Sequence, residues 1–232
     1  LPHTLLRLAG IADYVLHCAP PPAVGIDDPR TRRLLAALTR RGSLPRRISY
    51  ISTTGVYGDC GGAWLDETRP LRPDSPRAGR RVAAEAHLRR FGMRTGCRVS
   101  ILRAPGIYDT EARLPRARPL KGDPVLVAED HDDTNHIHAD DLARACVAAL
   151  WRGKPLRVVH ACDDTDLLMG DYFDRVADLA GLPRAPRISR SEAAATLSAM
   201  QLSFMSESRR LSNGRLKGEL RLRLWHAVAP VF

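Results

Sequence analysis

The segment YISTTGVYGD, residues 50–59, passes from an apolar run into a turn that is rich in hydroxyl groups. With the RIS that precedes it, the run predicts a buried strand over 47–53, because β-branched and aromatic residues favour strands. Four residues near the end of that strand carry a hydroxyl group: Ser52, Thr53, Thr54 and Tyr57. Such groups either close a turn or contact a ligand, and spacing alone favours the turn.

The segments on both sides of this strand alternate between strand and helix patterns. YVLHCA (14–19) and RVSILRAPG (98–106) are short apolar runs with turn residues at their ends, as in strands covered on both faces. Between the strands, Asp28 and Ser75 each precede a proline and a stretch with helical spacing, which predicts two capped helices. The resulting order is strand, helix, strand, helix, strand.

This alternation predicts parallel strands that are joined by right-handed crossovers, with helices on both faces of the sheet. The predicted fold class is therefore α/β, a doubly wound parallel sheet of the Rossmann type. Ligands of such sheets bind beyond the carboxyl ends of the strands. Three loops lie at those ends and should converge on one crevice: CAPPP (18–22), STTGVYGD (52–59) and RAPGIYDT (103–110).

The second half of the chain has a different pattern. A helix is predicted to begin near Ala139 and Asp140, and LRVVHAC (156–162) is typical of a further strand. Beyond it, MGDYFDRVADLAGLP (169–183) and SRSEAAATLSAM (189–200) have the spacing of amphipathic helices. We therefore predict a main domain over 1–165 and a small, mostly helical lobe over 166–232 on the substrate side of the crevice.

Composition limits the class of protein. The 232 residues are 44% apolar and 27% charged, and no stretch approaches the roughly 18 apolar residues of a membrane span. Neither end resembles a secretory signal. Five widely spaced cysteines without a CxxC pair argue against a disulfide framework and a thiolate zinc site. We expect reduced thiols, no membrane partner and a cytoplasmic location.

The net charge of +10 raises the question of nucleic-acid binding. The basic residues are almost all arginine, since only three are lysine, and they are spread along the chain. Aromatic residues make up only 5% of the chain, too few for a base-stacking platform. A solvated basic surface is therefore favoured over specific nucleic-acid binding.

A cluster of histidine and aspartate residues raises a metal hypothesis, because imidazole and carboxylate groups bind divalent ions. Its members are His131, Asp132, Asp133, His136, His138, Asp140 and Asp141. Against a metal, the last two carboxylates stand where a helix begins, a place that favours acidic and capping residues. Capping is the preferred interpretation, and no metal site is predicted.

Four segments in order resemble those of the extended short-chain dehydrogenase/reductases, the NAD-dependent epimerase/dehydratase family. They are ADYVLHCAPPPAVG (12–25), YISTTGVYGD (50–59), ILRAPGIY (101–108) and TNHIHADDLARACVAAL (134–150). The tail SESRRLSNGRLKGEL (206–220) is similar to the closing segment of an atypical branch of that family. The resemblance covers most of the chain.

The resemblance implies an NAD or NADP cofactor and a small-molecule substrate, and a homodimer is a further expectation. It matches Thr53 to the family's catalytic Ser/Thr. The residues expected along the cofactor are Cys18, Ala19, Pro20, Ser52, Arg81, Pro105, Gly106 and Ile107.

One departure from the family concerns its catalytic YxxxK. The lysine of that motif lies four residues before a glutamate, here Glu85, so Arg77 and Arg81 occupy the tyrosine and lysine positions. Arginine cannot replace the tyrosine, because its pKa above about 12 leaves no proton to exchange. Tyr57 is then the nearby side chain that could donate a proton, although a pKa near 10 makes tyrosine a poor base without a neighbouring cation.

A second departure lies at the front of the chain. The family opens with a glycine-rich turn that receives the pyrophosphate at a helix N-terminus. Gly10 and Gly25 form no such fingerprint, and the sequence begins at Leu1, shortly before what resembles an interior strand of the family. We therefore expect a Rossmann-like domain that is incomplete at its N-terminus and binds dinucleotides weakly.

Two classes of function follow. The first is an oxidoreductase or isomerase that binds NAD or NADP and acts on a small sugar- or nucleotide-linked substrate, with Thr53 orienting the substrate and Arg77 and Arg81 binding anionic groups. The second is a non-catalytic dinucleotide-binding scaffold or sensor, since both members of the YxxxK pair are replaced. A third hypothesis, a basic nucleic-acid binder, is the least favoured.

Overall fold

The computed structural model describes residues 8, 10–40, 44–109, 116–130, 132–197, 202 and 207–228. The helices are α1 (Pro29–Leu38), α2 (Pro76–Thr95), α3 (Ala117–Lys121), α4 (Ala139–Arg152), α5 (Met169–Ala180), α6 (Arg190–Thr196) and α7 (Gly214–Gly218). Short 3-10 helices lie at Thr54–Tyr57 and Ala128–Asp130. The strands of the central sheet are β1 (Tyr14–His17), β2 (Arg47–Thr53), β4 (Arg98–Ala104) and β9 (Arg157–His160).

The remaining strands are two or three residues long and form pairs outside the central sheet. They are β3 (Trp64–Leu65), β5 (Gly106–Tyr108), β6 (Val125–Leu126), β7 (Asp133–Thr134), β8 (His136–His138), β10 (Leu167–Leu168), β11 (Arg187–Ile188) and β12 (Arg210–Leu211). β5 pairs with β8, β6 with β11, β3 with β12, and β7 with β10. Most of these partners are distant in the sequence, so local patterns do not reveal them.

The central sheet has the order β1-β2-β4-β9, and all of its strands are parallel. Ile48 of β2 lies between Val15 of β1 and Val99 of β4, which places the apolar runs in one register. The strand, helix, strand pattern of the sequence and the α/β fold class are thus confirmed. All of these strands point their carboxyl ends toward the same edge of the sheet.

Both faces of the sheet are covered by helices. On one face, Val99 and Ile101 pack with Leu88 and Phe91 of α2 and with residues of α1. On the other face, Leu102 packs against α4 and against the C-terminal segment. Alternate residues of β4 therefore enter different cores, which explains why this strand has apolar side chains on both of its faces.

The predicted helix starts are present with their caps. Asp28 Oδ1 accepts hydrogen bonds from the backbone N–H groups of Arg30 and Thr31, and Ser75 Oγ accepts from Ala78. Helix α4 begins at Ala139 as expected, but its N-cap is His138, whose Nδ1 accepts from the N–H of Asp140 at 3.2 Å. Asp140 is therefore a first-turn residue rather than the cap, a position where the helix dipole favours a carboxylate.

The C-terminal part of the chain divides its packing between two cores. Tyr172 and Val176 of α5 form a separate apolar cluster with Tyr108 and Val125. The segment after α7 returns to the central sheet, where Leu220 joins the core on the α4 side. The division of the chain at residue 165 stays a prediction. No helix in the described part of the chain is long and apolar enough to cross a membrane.

Candidate functional site

A cleft of about 550 Å³ opens at the carboxyl ends of β2 and β4. It is bounded by the end of β2, the first turn of α2, the link from β4 to β5, the start of β8 and helix α5. Residues that line it include Thr53, Arg77, Pro105, Gly106, Ile107, Asn135, His136, Tyr172, Glu207 and Arg209. The cleft lies where the fold class predicts a ligand site.

Thr53 closes the turn and also faces the cleft. It is the extended residue before the 3-10 helix, and its Oγ1 accepts a hydrogen bond from the N–H of Gly55 at 3.3 Å. The hydroxyl hydrogen has no acceptor among the described residues. The two interpretations of this residue are therefore compatible, because a hydroxyl that accepts one hydrogen bond can still donate another.

Ser52 points the other way. Side chains alternate along a strand, so the neighbour of Thr53 enters the core on the α2 side. Its Oγ donates to Glu85 Oε1 at 2.7 Å, and the residue is buried. The hydroxyl of Ser52 is thus used inside the core, and the expected contact of this residue with a cofactor stays a prediction.

Tyr57 lies behind the cleft, inside the core, rather than in the cleft. It is only 1% exposed, and its hydroxyl accepts a hydrogen bond from Arg103 Nη1 at 2.7 Å. The same hydroxyl lies 2.5 Å from His160 Nε2. Burial raises the pKa of Tyr57 to about 12, even though the Arg103 guanidinium acts in the opposite direction. In this arrangement the phenol does not line the cleft, and its expected role as a proton donor stays a prediction.

The tautomer of His160 follows from its neighbours. Its Nδ1 lies 3.0 Å from the carbonyl oxygen of Ser212, which can only accept, so Nδ1 carries the proton. Nε2 is then the acceptor for the hydroxyl of Tyr57. Burial lowers the pKa of His160 to about 4, which agrees with a neutral ring.

Arg103 and Glu85 connect this network to α2. Arg103 Nε donates to Glu85 Oε1 at 3.0 Å and Nη2 donates to Oε2 at 2.7 Å. Both side chains are buried, and each buried charge therefore has its partner. The sequence contained a signal for this pair, namely an arginine inside a mostly apolar strand, but it did not reveal the partner.

The two arginines at the YxxxK positions differ in their surroundings. Arg77 is exposed at the cleft and has no hydrogen bond or ion pair with the described residues. Arg81 is half-buried, and its Nη1 donates to the hydroxyl of Tyr50 at 2.9 Å and to the carbonyl of Ile51 at 2.8 Å. Arg81 thus ties α2 to β2, and its contact with a cofactor stays a prediction.

The other residues expected along a cofactor lie at the same edge of the sheet. Cys18, Ala19 and Pro20 follow β1 and are exposed. Pro105, Gly106 and Ile107 follow β4 and line the cleft. The contact of these six residues with a cofactor stays a prediction. No glycine-rich turn leads into a helix anywhere in the described part of the chain that could receive a pyrophosphate.

The members of the histidine and aspartate cluster have other partners, apart from His131, which lies outside the described residues. Asp141 accepts hydrogen bonds from Arg144 and from the backbone N–H groups of Trp225 and His226. No group of three or more His, Cys, Asp or Glu residues within the described ranges is arranged to hold a metal.

His136 is the member of this cluster that lines the cleft. Its ring stacks on Tyr172 with centroids 3.7 Å apart, and its Nε2 lies 2.9 Å from Thr134 Oγ1. Burial lowers the pKa of His136 to about 3, so the ring is neutral at neutral pH. Sequence reasoning treated this residue only as a metal candidate, because nothing local indicates that β8 borders the cleft.

Comparison with solved structures places this fold among known proteins. A conserved protein of unknown function from Silicibacter pomeroyi is similar over 92% of this chain and 73% of its own, with 33% identity and a TM-score of 0.78. The UDP-glucuronic acid 4-epimerase of Bacillus cereus, solved with NAD, has 18% identity and a TM-score of 0.71 over 95% of this chain and 72% of its own.

A double mutant of a dTDP-glucose 4,6-dehydratase from Streptomyces venezuelae, also solved with NAD, has 20% identity and a TM-score of 0.74 over 97% of this chain and 72% of its own. A search of the curated proteins found no significant match. The NAD dependent epimerase/dehydratase family matches residues 12–161, which include the central sheet and most of the cleft. Since this match spans more than half of the sequence and the similar Silicibacter protein is 33% identical, the chain belongs to the NAD-dependent epimerase/dehydratase family.

Proposed function

We propose that the protein binds NAD or NADP and acts as an epimerase/dehydratase-like oxidoreductase or isomerase on a small sugar- or nucleotide-linked substrate. The observation that carries the proposal is the cleft at the carboxyl ends of β2 and β4. The hydroxyl of Thr53, whose hydrogen has no acceptor among the described residues, can donate into this cleft. Membership of the family supports the cofactor class. The epimerase and dehydratase structures solved with NAD support it as relatives of the same fold.

The strand ends at 18–20 and 105–107 would hold the nicotinamide half of the cofactor. When bound, a nicotinamide cofactor supplies hydride transfer. The chain's own contribution would be to orient the substrate through the hydroxyl of Thr53 and to exclude water with the wall formed by Tyr172 and Phe173.

The charged groups of the cleft favour a substrate with an anionic part. Arg209 is paired with Glu207, and its Nη1 donates to the carbonyl of Gly58 at 2.6 Å. Arg77 has no such partner among the described residues and is exposed to the cleft. A guanidinium in this state binds phosphate or carboxylate oxygens well, because its planar fork matches their geometry.

A non-catalytic dinucleotide-binding scaffold or sensor is the second candidate. It is favoured by the arginines at the YxxxK positions and by the buried hydroxyl of Tyr57, which together leave the cleft without the usual proton donor of the family. The two candidates make different predictions about turnover, not about binding.

Titration calorimetry tests the proposal, with NAD, NADPH, UDP-glucose, UDP-glucuronic acid and dTDP-glucose as ligands for the whole chain. We expect at least one cofactor and one sugar nucleotide to bind at millimolar concentration or below. The variant Thr53→Val should weaken sugar-nucleotide binding, whereas Thr39→Val, an exposed threonine after α1, should not. The absence of heat with all ligands would overturn the proposal.

Turnover of the bound sugar nucleotide separates enzyme from scaffold. Conversion that is lost in Thr53→Val supports the enzyme, and binding without conversion supports the scaffold. We also propose a cytoplasmic location, for which the five unpaired cysteines are an argument, and a homodimer, which sedimentation analysis would test.

A further inference from the structure

The imidazole ring of His136 is held firmly at the wall of the cleft. It stacks on Tyr172, and its plane meets the ring of Tyr108 edge-on with centroids 6.2 Å apart. Nε2 is engaged by Thr134 Oγ1 at 2.9 Å. The residue is 6% exposed, so its position is determined by packing rather than by solvent.

The other ring nitrogen of His136 is available. Nδ1 has no hydrogen-bond partner among the described residues. Some buried polar atoms lack a partner and are also completely shielded from solvent, but Nδ1 of His136 is not one of them. Nδ1 is therefore accessible from outside the core, and the open space beside His136 is the cleft.

Gly106 keeps this nitrogen accessible. A Cβ atom built at residue 106 would lie 3.0 Å from His136 Nδ1. The backbone does not require glycine there, because Gly106 is in strand β5 and is not among the glycines with positive φ. Glycine inside a strand weakens it and often marks the close approach of another group, here the imidazole and the ligand that it would meet.

The uncharged ring suits an uncharged partner. A neutral imidazole has one donor and one acceptor nitrogen, and with Nε2 engaged it offers a single hydrogen bond through Nδ1. A hydroxyl or carbonyl oxygen of a ligand can form this bond, whereas an anionic group is better matched by Arg77. The cleft thus separates a site for uncharged oxygens from a site for anions.

We propose that His136 Nδ1 contacts the substrate, forming a hydrogen bond to a hydroxyl or carbonyl oxygen of its sugar-like part, and that Gly106 is the opening through which the substrate reaches it. This inference rests on the proposed function and deepens it. Thr53 and His136, on different strands, then recognise uncharged oxygens of one ligand, and Arg77 recognises its anionic group.

Two measurements on the whole chain test the proposal. In the first, protein with 15N-labelled histidine is titrated with UDP-glucose and UDP-glucuronic acid, and the Nδ1 resonance of His136 is followed by NMR. We expect this resonance to shift on binding. In the second, calorimetry compares wild type with Gly106→Ala, which should bind at least about 10-fold more weakly, a change of about 1.4 kcal/mol.

Gly79→Ala is the matched control, since a Cβ at this glycine of α2 meets nothing within 4 Å. It should bind as wild type does. If Gly106→Ala does not fold, the NMR titration of the wild type still decides. Ligand binding with an unmoved Nδ1 resonance, or with equal affinity in folded Gly106→Ala, would overturn the role of His136 and leave the proposed function intact. If the wild type binds no cofactor and no sugar nucleotide, both proposals are wrong.

Discussion

Arg103 and Glu85 form a bidentate ion pair inside the protein, with Nε to Oε1 at 3.0 Å and Nη2 to Oε2 at 2.7 Å. Arg103 is on β4 and Glu85 is on α2, so the pair joins the sheet to the helix that borders the cleft. Ser52 and Tyr57 complete its hydrogen bonds. The four side chains hold the end of β2 in place beneath Thr53.

Removal of one partner of this pair should destabilise the protein strongly. Arg103→Met leaves the buried Glu85 carboxylate with only the partly exposed Arg89 guanidinium, 3.6 Å away, as a cation, which should lower the free energy of unfolding by about 3–5 kcal/mol in urea denaturation. The double variant Arg103→Met/Glu85→Leu should recover much of this loss. Arg184→Met, which removes the exposed partner of Asp178, should leave stability nearly unchanged. Equal losses of stability in Arg103→Met and Arg184→Met would show that the burial of the Arg103–Glu85 pair has no special effect.

Tyr57→Phe should affect stability and leave ligand binding unchanged. The change removes the oxygen that accepts from Arg103 and the donor for His160, so we expect a loss of about 1–3 kcal/mol in the free energy of unfolding. Because Tyr57 does not line the cleft, calorimetry should give the wild-type affinity for cofactor and sugar nucleotide. A folded variant that has lost binding would show that the hydroxyl reaches the ligand after all.

His160 should make stability depend on pH in mildly acidic solution. Its folded pKa of about 4 is below the ordinary value of 6.5, so the unfolded state binds the proton more readily between these values. The contribution of the neutral ring is fully present above pH 6.5 and is lost as the pH falls toward 4, by up to about 3 kcal/mol.

The measurement compares urea unfolding of wild type and His160→Gln from pH 7.5 to 4.5. The stability of wild type should fall more steeply than that of the variant. Asp163 acts with the opposite sign, because burial raises its pKa to about 7, but it is present in both proteins and cancels in the difference. Parallel curves would mean that His160 is not held neutral.

Gly58 should tolerate no side chain. Its φ of +67° is in the left-handed region, and a Cβ would lie 2.2 Å from the carbonyl oxygen of Arg72. Gly58→Ala should therefore lower the free energy of unfolding by about 3 kcal/mol, the sum of backbone strain and overpacking. Gly61, with φ of +57° and nothing within 4 Å of its Cβ, is the control, for which strain alone predicts about 1 kcal/mol. Equal losses of stability in the alanine variants of Gly58 and Gly61 would exclude a steric clash with Arg72.

Arg77→Ala should weaken the binding of UDP-glucuronic acid about 10-fold or more without loss of stability. The reason is that an exposed side chain with no partner in the described part of the chain adds little to folding. The remaining affinity should also depend less on salt, since a charge contact has been removed. Arg94→Ala, at the other end of α2, should change neither quantity. An unchanged affinity in Arg77→Ala would show that Arg77 does not bind the anionic group of the ligand.

The sequence predicted those features that arise from local periodicity. Strand β2 is found over the expected 47–53, and α5 begins at the expected Met169. A capping serine, a buried apolar run and apolar residues at helical spacing each involve only residues that are close in sequence. These patterns can therefore be recognised in the sequence alone. The order of these elements was also sufficient to predict the parallel sheet and its crevice.

The short strands and the cleft wall could not be predicted in this way. Arg210–Leu211 pairs with Trp64–Leu65 across more than 140 residues, and two residues carry no recognisable pattern. The cap of α4 was assigned to the wrong residue, because an imidazole accepts a hydrogen bond as well as the expected carboxylate does. Such choices depend on which groups tertiary packing brings together.

By itself, the sequence determined the α/β sheet, the position of Thr53 at a strand end and the replacement of both members of YxxxK by arginine. Only the tertiary structure decided that Tyr57 is buried against Arg103 and His160, and that His136 reaches the cleft beside Gly106. The periodicity of apolar residues specifies which residues form a strand and which face of the strand is buried. The direction of a side chain in a turn is set by distant partners that satisfy its hydrogen bonds, and these partners meet only when the chain has folded.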